Sequence, residues 1–246
     1  YKRQNHDNSI HVNQIDVQNQ SELSSWIAEA EIVLLAVPGF LGYQSLKTII
    51  NCGKDVVDIS FSPENVLTLD QLAKEKNVTA VVDAGVAPGI PNFLLGYWNS
   101  KMKINSFDYC VGGLPKNPSP PYNYKAPFSP IDVIEEYTRP ARMRINSQFV
   151  TKPALSDLEI FNFSEVGKLE AFNTDGLRSL LQTMSHIPNM KEKTLRYPGH
   201  AKLIQSMIDD GLFNNKNFDK TINRLFKDWK LKEDEPEFTI LDINIY

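Results

Sequence analysis

The 246-residue sequence predicts an α/β protein in two domains. A parallel sheet with flanking helices is expected over residues 1–103, and an α+β domain with a mixed or antiparallel sheet over residues 104–246. Two observations predict this. Short apolar runs alternate with helical stretches through the first third of the chain, which is typical of a parallel sheet. Beyond residue 103, a proline-rich segment precedes short alternating stretches that favour antiparallel strands.

The strands of the first domain are predicted from three apolar runs that begin 22 to 24 residues apart, at 32–37, 56–59 and 78–82. Runs this short and rich in valine and isoleucine, bounded by turn residues, are typical of strands buried on both faces. A further strand-like element is expected at 15–17.

Helices are predicted between these strands. The first covers about residues 21–30, with Trp26 and Ile27 facing inward, and the second covers 45–50. The third opens at Thr68 with a sequence typical of a capping box and runs to about residue 76.

The second domain begins with an irregular segment, since residues 115–130 hold six of the fifteen prolines. A hairpin is predicted at 142–151, because Asn146 and Ser147 can adopt the positive φ of a tight turn. The remaining predicted elements are a helix after Pro130, a strand at 158–163, helices at 176–184 and 200–210, and a closing strand at 238–246. Gly211 would cap the helix at 200–210, which is expected to pack back on the first domain.

The composition excludes several classes of protein. Twenty-six basic residues against thirty acidic ones give a net charge of -4, which argues against a nucleic-acid partner. No apolar run approaches the ~20 residues of a membrane span. Cys52 and Cys110 make no disulfide framework, and the four histidines have no metal-ligand spacing. We therefore expect a soluble, cytoplasmic protein with no metal site and no membrane partner.

The loops that follow the predicted strands indicate a ligand site, because parallel sheets bind ligands at the carboxyl ends of their strands. Glycine and proline in these loops let the backbone approach a ligand closely. No GxGxxG sequence occurs, and the chain opens with a polar stretch. The first βαβ unit is therefore expected to be missing, and a chain that begins at Tyr1 is expected to bind no dinucleotide tightly.

Five segments in order resemble the saccharopine dehydrogenase superfamily, closest to its lysine 6-dehydrogenase branch. They are residues 83–89, 111–115, 128–137, 168–178 and 194–200. The resemblance implies a Rossmann-type dinucleotide domain, a second domain that binds an amino acid and forms a homodimer, and NAD as cofactor with NADP as the alternative. Lysine 6-dehydrogenases oxidise the ε-amine of L-lysine to a semialdehyde and release ammonia.

The sequence departs from the saccharopine-oxidising branch at three places. Ala87 stands where that branch typically has an acidic residue, Ile131 where it has an arginine, and Thr174–Gly176 where it has Asn-Arg-Asp. A saccharopine pocket must neutralise three carboxylates, and a missing arginine would leave a charge unpaired at a cost of several kcal/mol. These departures favour lysine over saccharopine.

The candidate site residues fall into three groups by role. For catalysis we consider His200 or Asp83 as the base that deprotonates the substrate amine, whose free pKa is about 10.4, and Tyr197 as a hydrogen-bond donor. Substrate binding is expected from the cations Arg139, Arg178 and Arg196, from the acids Glu135, Glu136 or Asp175, and from Thr174. Cofactor binding is expected from Asp16, Pro38, Phe40, Asp58, Ser60, Gly85, Pro88 and Gly89.

Three functions remain open at this point. The first is an NAD(P)-dependent dehydrogenase of the L-lysine ε-amine. The second is another enzyme of the same superfamily, a saccharopine dehydrogenase or reductase or an imine reductase that makes a polyamine precursor. The third is a non-catalytic module that binds an amino acid and dimerises.

Overall fold

The computed structural model describes residues 11–246. Its first sheet has three parallel strands in the order β1, β2, β3, which confirms the predicted parallel arrangement. The strands are β1 (Ile32–Leu35), β2 (Asp55–Asp58) and β3 (Ala80–Val81). The helices of this half are α1 (Gln20–Trp26), α2 (Gly39–Asn51) and α3 (Asp70–Lys76), the last preceded by a 3-10 turn at Val66–Leu69.

These helices share one core with the strands, around Leu46, Ile49 and Ile50, which are fully buried. The prediction of strands buried on both faces is wrong for β1, because Ile32 and Leu34 are 63% and 66% exposed. Among residues 11–246, the core formed with α1 to α3 takes up the other face of β1, where Leu35 is buried.

Three local predictions are also corrected. Trp26 is 46% exposed while Ile27 is buried, so only the second faces the core. Thr68 forms no capping box, because its hydroxyl donates to the carbonyl of Asn65, whose own side chain caps the 3-10 turn. The segment around Asp16 is irregular and exposed rather than strand-like.

The second sheet has seven strands in the order β10, β4, β9, β5, β6, with β8 also pairing with β9 and β7 pairing with β8. It is mixed, because β4 and β9 run parallel while the other pairs are antiparallel. The strands are β4 (Ser106–Pro115), β5 (Ala141–Ile145), β6 (Gln148–Lys152), β7 (Glu159–Phe163), β8 (Gly167–Asn173), β9 (Asn189–Arg196) and β10 (Glu237–Ile245). Asn146 and Ser147 adopt φ of 49° and 66° in the β5–β6 hairpin, as predicted.

Five helices accompany this sheet: α4 (Ile90–Asn99), α5 (Pro130–Thr138), α6 (Leu180–Thr183), α7 (His200–Asp209) and α8 (Phe218–Asp228). The helix predicted at 176–184 is reduced to the short α6. Ala201 and Ile204 of α7 join a core whose other members all come from residue 110 onward, and the packing of this helix on the first domain stays a prediction. Leu95 of α4 also lies in a core of the second sheet. The domain division at residue 103 stays a prediction.

A helix that crosses a bilayer must be long and apolar, and none of the helices within residues 11–246 meets both conditions.

Candidate active site between the two sheets

A cavity of about 560 Å³ lies between the two sheets, within the usual size of a small-molecule site. One wall consists of the loops after β1, β2 and β3. The other consists of β4, β9, β10, the start of α5 and the turn after β8. The predicted site residues that line this cavity are Pro38, Ser60, Asp83, Gly85, Pro88, Glu136, Thr174, Asp175 and Arg196.

The turn after β2 is shaped by Asp58, which does not itself line the cavity. Its Oδ1 accepts hydrogen bonds from the backbone N–H of Ser60 at 2.8 Å and from the Ser60 hydroxyl at 2.5 Å. Burial raises the pKa of Asp58 although the Ser60 hydrogen bonds oppose this. Asp58 therefore holds Ser60 at the edge of the cavity.

The loop after β3 joins the two halves of the molecule. Asp83 has a φ of 51°, and its Oδ2 accepts a hydrogen bond from the backbone N–H of Ser179 at 2.9 Å. Gly89 has a φ of +147°, and a Cβ there would lie 1.7 Å from the carbonyl oxygen of Gly85. Only glycine fits at this position, so the role of Gly89 is to allow the backbone conformation of this loop.

Strand β9 supplies three polar side chains to the opposite wall. Glu192, Thr194 and Arg196 alternate along the strand and therefore share one face. Gly112 of the neighbouring β4 packs closely against this strand, since a Cβ there would lie 2.7 Å from the carbonyl oxygen of Leu195.

Arg196 is buried and held in a fixed orientation. Its Nε donates to the Tyr137 hydroxyl at 2.9 Å, one terminal nitrogen donates to the Leu195 carbonyl at 2.9 Å, and the other to Glu136 at 3.0 Å. The guanidinium also stacks over the Tyr124 ring, 4.4 Å from its centroid. Arg196 is thus a preorganised cation with two of its five N–H groups still available.

His200 lies behind Arg196 rather than on the cavity wall, so the structure corrects its predicted role as a base. Its ring is 2% exposed, with Nδ1 2.9 Å from the Tyr122 carbonyl and Nε2 2.9 Å from the Tyr137 hydroxyl. Burial, with a contribution from Arg196, lowers the pKa of His200 to about 3. The His200 ring is therefore neutral, and its Nε2 accepts a hydrogen bond from the Tyr137 hydroxyl.

Tyr197 also lies off the cavity, because its hydroxyl donates to the Pro115 carbonyl at 2.9 Å. Arg139 is paired with Glu135, and Arg178 is paired with Asp175 at 2.8 Å. The structure places neither arginine, nor Glu135, on the cavity wall.

Besides Asp58, three of the predicted cofactor residues lie off the cavity wall. Phe40 is 49% exposed on the first turn of α2, and Gly89 caps α4. Asp16 accepts a hydrogen bond from the backbone N–H of Gln18 in an exposed turn. None of the three lines the cavity.

The cavity is strongly acidic. Within the described chain, the ionisable side chains on its wall are one guanidinium, Arg196, and five carboxyl groups: Asp83, Asp132, Asp175, Glu136 and Glu192. Burial raises the pKa of Glu136, opposed by Arg196, and burial raises the pKa of Asp132, opposed by the N–H of Gly39. Burial also raises the pKa of Glu192, to about 8.

Sequence reasoning missed Glu192, Thr194 and Asp132. The alternation of polar side chains over 192–196 would have indicated the first two, had residues 189–196 been recognised as a strand. Asp132 follows Pro130 in the first turn of α5, a position where acidic side chains are favoured for helix stability alone.

The cavity fits the nicotinamide end of a dinucleotide. It opens at the carboxyl ends of parallel strands, where such cofactors bind, and loops after those strands supply apolar contacts such as Pro38, Ile59 and Val86. A parallel sheet with this cavity, covered by a second mixed sheet, defines the class of two-domain dinucleotide-binding proteins.

Comparisons with known proteins identify the family. The saccharopine dehydrogenase C-terminal domain model matches residues 85–245, and the saccharopine dehydrogenase NADP binding domain model matches residues 2–81. The chain belongs to the saccharopine dehydrogenase family. The match to an NADP binding domain confirms the predicted nicotinamide dinucleotide and supports its NADP form.

Individual relatives are distant. The chain is 25% identical over 223 residues to the mitochondrial alpha-aminoadipic semialdehyde synthase of Bos taurus, covering 85% of this chain and 24% of that protein. It is 26% identical over 218 residues to a saccharopine dehydrogenase (NADP(+), L-glutamate-forming) of Pyricularia oryzae, covering 82% of this chain and 48% of that protein. The chain thus spans about half or less of the length of these relatives.

One solved structure supports the fold. The apo saccharopine dehydrogenase (L-Glu forming) from Saccharomyces cerevisiae matches with a TM-score of 0.59 and 18% sequence identity, covering 89% of this chain and 57% of that chain. At this identity the likeness shows the fold alone.

Proposed function

We propose that the full-length protein is an NADP-dependent amino-acid dehydrogenase that oxidises the terminal amine of L-lysine. The observation that carries this proposal is the charge of the cavity. Among residues 11–246, five carboxylates and one guanidinium line it. Glu136 is paired with that guanidinium and Asp175 with Arg142 and Arg178, so Asp83, Asp132 and Glu192 have no cationic partner among these residues.

A cationic substrate suits this charge balance. Saccharopine carries three carboxylates, each of which would need a cation or several hydrogen-bond donors in a buried site. L-Lysine carries one carboxylate and two ammonium groups. Arg196 offers its two remaining N–H groups to that carboxylate, and the surrounding acids complement the two ammonium groups.

The chemistry requires a neutral amine and a hydride acceptor. The dinucleotide, when bound, supplies that acceptor. The side chains must remove a proton from the terminal ammonium, because a protonated nitrogen has no lone pair to form the imine. Free lysine has a pKa of about 10.4, so a buried carboxylate in the cavity is the natural proton acceptor.

A second candidate is oxidation or formation of saccharopine. The names of the relatives favour it, since they are saccharopine dehydrogenases and semialdehyde synthases. The non-catalytic binding module also stays a proposal, which the experiment below separates from the dehydrogenase. The predicted homodimer and the imine reductase that makes a polyamine precursor stay proposals as well.

The test is a substrate panel with the full-length protein, followed by absorbance of the reduced nicotinamide. L-Lysine, L-ornithine and L-saccharopine are compared with NADP and with NAD. We expect kcat/KM for L-lysine to exceed kcat/KM for saccharopine by at least about 100-fold. This ratio corresponds to the cost of leaving one charge buried and unpaired, about 3 kcal/mol. Preference for saccharopine would contradict the proposal, and lysine binding without turnover would support the binding module.

A further inference from the structure

We propose that Glu192 is the catalytic base, the group that takes the proton from the terminal ammonium of the substrate. This inference rests on the proposed function and deepens it, by naming one residue for a step that the sequence attributed to His200 or Asp83.

The position of Glu192 combines access with burial. The residue is 3% exposed on β9, yet it lies on the wall of the cavity. Its carboxylate accepts hydrogen bonds from the Thr174 hydroxyl, 2.9 and 2.8 Å from its two oxygens, and from the backbone N–H of Gly176 at 2.9 Å. A Cβ on Gly176 would lie 2.6 Å from the carboxyl carbon, so glycine leaves room for this carboxyl group.

Glu192 has no cationic partner within the described residues, because none of the ion pairs formed there includes it. Two other acids of the cavity do have partners: Glu136 pairs with Arg196, and Asp175 pairs with Arg142 and Arg178. A buried carboxylate without a cation favours a cationic ligand or a proton.

The hydrogen-bond chemistry separates Glu192 from the two remaining acids. Asp83 and Asp132 each accept from a backbone N–H, of Ser179 and Gly39, and a backbone donor cannot reverse its direction. Glu192 also accepts from a backbone N–H, that of Gly176, but both of its oxygens lie within hydrogen-bond distance of the Thr174 hydroxyl, which is 2.7 Å from the Thr194 hydroxyl. When Glu192 gains a proton, Thr174 can turn to accept from it and donate to Thr194, so no hydrogen bond is lost.

The electrostatic surroundings suit the role. Burial raises the pKa of Glu192 to about 8, Glu136 and Asp175 add to the rise, and hydrogen bonds from Thr174 and Gly176 oppose it. Three titratable groups lie on the neighbouring strand β4: Asp108, whose pKa burial raises, Tyr109, whose pKa lies well above its usual value, and Cys110, whose pKa is about 12. Tyr109 and Cys110 stay neutral over the working range, and Arg196 on β9 stays charged.

In the proposed step, a proton moves from the substrate ammonium group to the Glu192 carboxylate. One N–H bond of the ammonium breaks and one O–H bond forms on Glu192, so an ion pair becomes a neutral amine and a neutral carboxylic acid. The amine lone pair then forms the C=N bond as the adjacent C–H bond delivers its electron pair, as hydride, to the oxidised nicotinamide dinucleotide. Addition of water to the iminium releases ammonia.

The test compares Glu192→Gln with Glu233→Gln, a control on an exposed turn, in the full-length protein. We expect Glu192→Gln to lower kcat at pH 7.5 by about 10²- to 10⁴-fold, the usual value of a general base. Its residual rate should rise about tenfold per pH unit, because the free amine must then form in solution, while the wild-type rate levels off above about pH 8. A wild-type rate and pH profile for Glu192→Gln would overturn the inference.

A second measurement does not depend on turnover or on the folding of a variant. In wild-type protein labelled at the glutamate side-chain carboxyl carbon, one ¹³C signal should titrate near pH 8, and saturating L-lysine should shift that titration. Absence of such a signal overturns the inference. If the wild-type enzyme oxidises lysine and Glu192→Gln behaves like wild type, only this inference fails. If the wild-type enzyme oxidises no amine, the proposed function fails instead.

Discussion

The orientation of Arg196 depends on a short chain of hydrogen bonds that ends at a buried histidine. The Nδ1–H of His200 donates to the Tyr122 carbonyl, and its Nε2 accepts from the Tyr137 hydroxyl, whose oxygen in turn accepts from Arg196. Each donor in this series of hydrogen bonds has one acceptor. Because Nε2 of His200 can accept only when it carries no proton, the imidazole ring must be neutral. His200 therefore acts on the site through Tyr137, as a positioning residue.

The neutral ring predicts a pH dependence of stability. The pKa of His200 is about 3 in the folded protein and about 6.5 in the unfolded chain. Because the folded value is depressed, its contribution is fully present above pH 6.5 and is lost as the pH falls toward 3. Between pH 7 and pH 5 the free energy of unfolding of wild type should lose about 2 kcal/mol that a His200→Gln variant does not lose.

Urea unfolding at pH 5, 6 and 7 measures this difference. Glu192 titrates in the same range with the opposite sign, since its raised pKa removes stability as the pH rises from 4.5 to 8, but it is common to both proteins and cancels. His186→Gln is the control, because His186 is exposed. Parallel pH dependences for wild type and His200→Gln would contradict the buried neutral ring.

At the scale of elements, the cavity depends on the close approach of two parallel strands. Strands β4 and β9 pair from Ser106 with Asn189 to Val111 with Thr194, and Gly112 follows directly. Because Gly112 has no side chain, the Leu195 backbone lies close enough for Thr194 and Arg196 to face the cavity.

A glycine substitution at the contact between β4 and β9 tests this packing, and a second glycine substitution in open space is its control. Gly112→Ala would place a Cβ 2.7 Å from the Leu195 carbonyl oxygen, and we expect it to lower the free energy of unfolding by about 1–3 kcal/mol. Gly96→Ala lies in α4 with open space around it and should raise stability by about 0.5–1 kcal/mol. Urea unfolding of both variants measures these changes, and a Gly112→Ala variant as stable as wild type would contradict the described strand packing.

Local signals in the sequence account for much of the fold. The first parallel sheet, the β5–β6 hairpin and the closing strand β10 follow from apolar runs, from positive-φ turn residues and from alternation. Strands β4 and β9 were not predicted as strands. Their pairing is long-range, and within β9 the polar face that lines the cavity conceals the usual apolar signal.

The site was predicted only in part for a related reason. The loops after parallel strands meet at one edge by topology, so Pro38, Ser60 and Asp83 could be grouped from sequence. His200 and Arg196 are four residues apart, yet a strand end and a turn separate them. Both bind the Tyr137 hydroxyl, but only Arg196 lines the cavity. Which of two neighbouring residues reaches a cavity depends on such turns.

At the scale of the whole molecule, the cavity exists only where the two halves meet. Asp83 of the first half binds the backbone of Ser179, and Asp132 of the second half accepts from the backbone N–H of Gly39 at 3.0 Å. These bonds hold the cofactor-side loops against the acidic wall of the second sheet. Under the proposed function, the carbon that bears the terminal amine of a basic amino acid would give up its hydride at this junction.

The most direct test of this account follows deuterium from L-[6,6-²H₂]lysine in the full-length protein, with NADP as acceptor. The account predicts that one deuterium appears in the reduced nicotinamide, as measured by mass spectrometry, and that L-[2-²H]lysine transfers none. Transfer from the 2-position, or reduction of the cofactor by saccharopine but not by lysine, would contradict it.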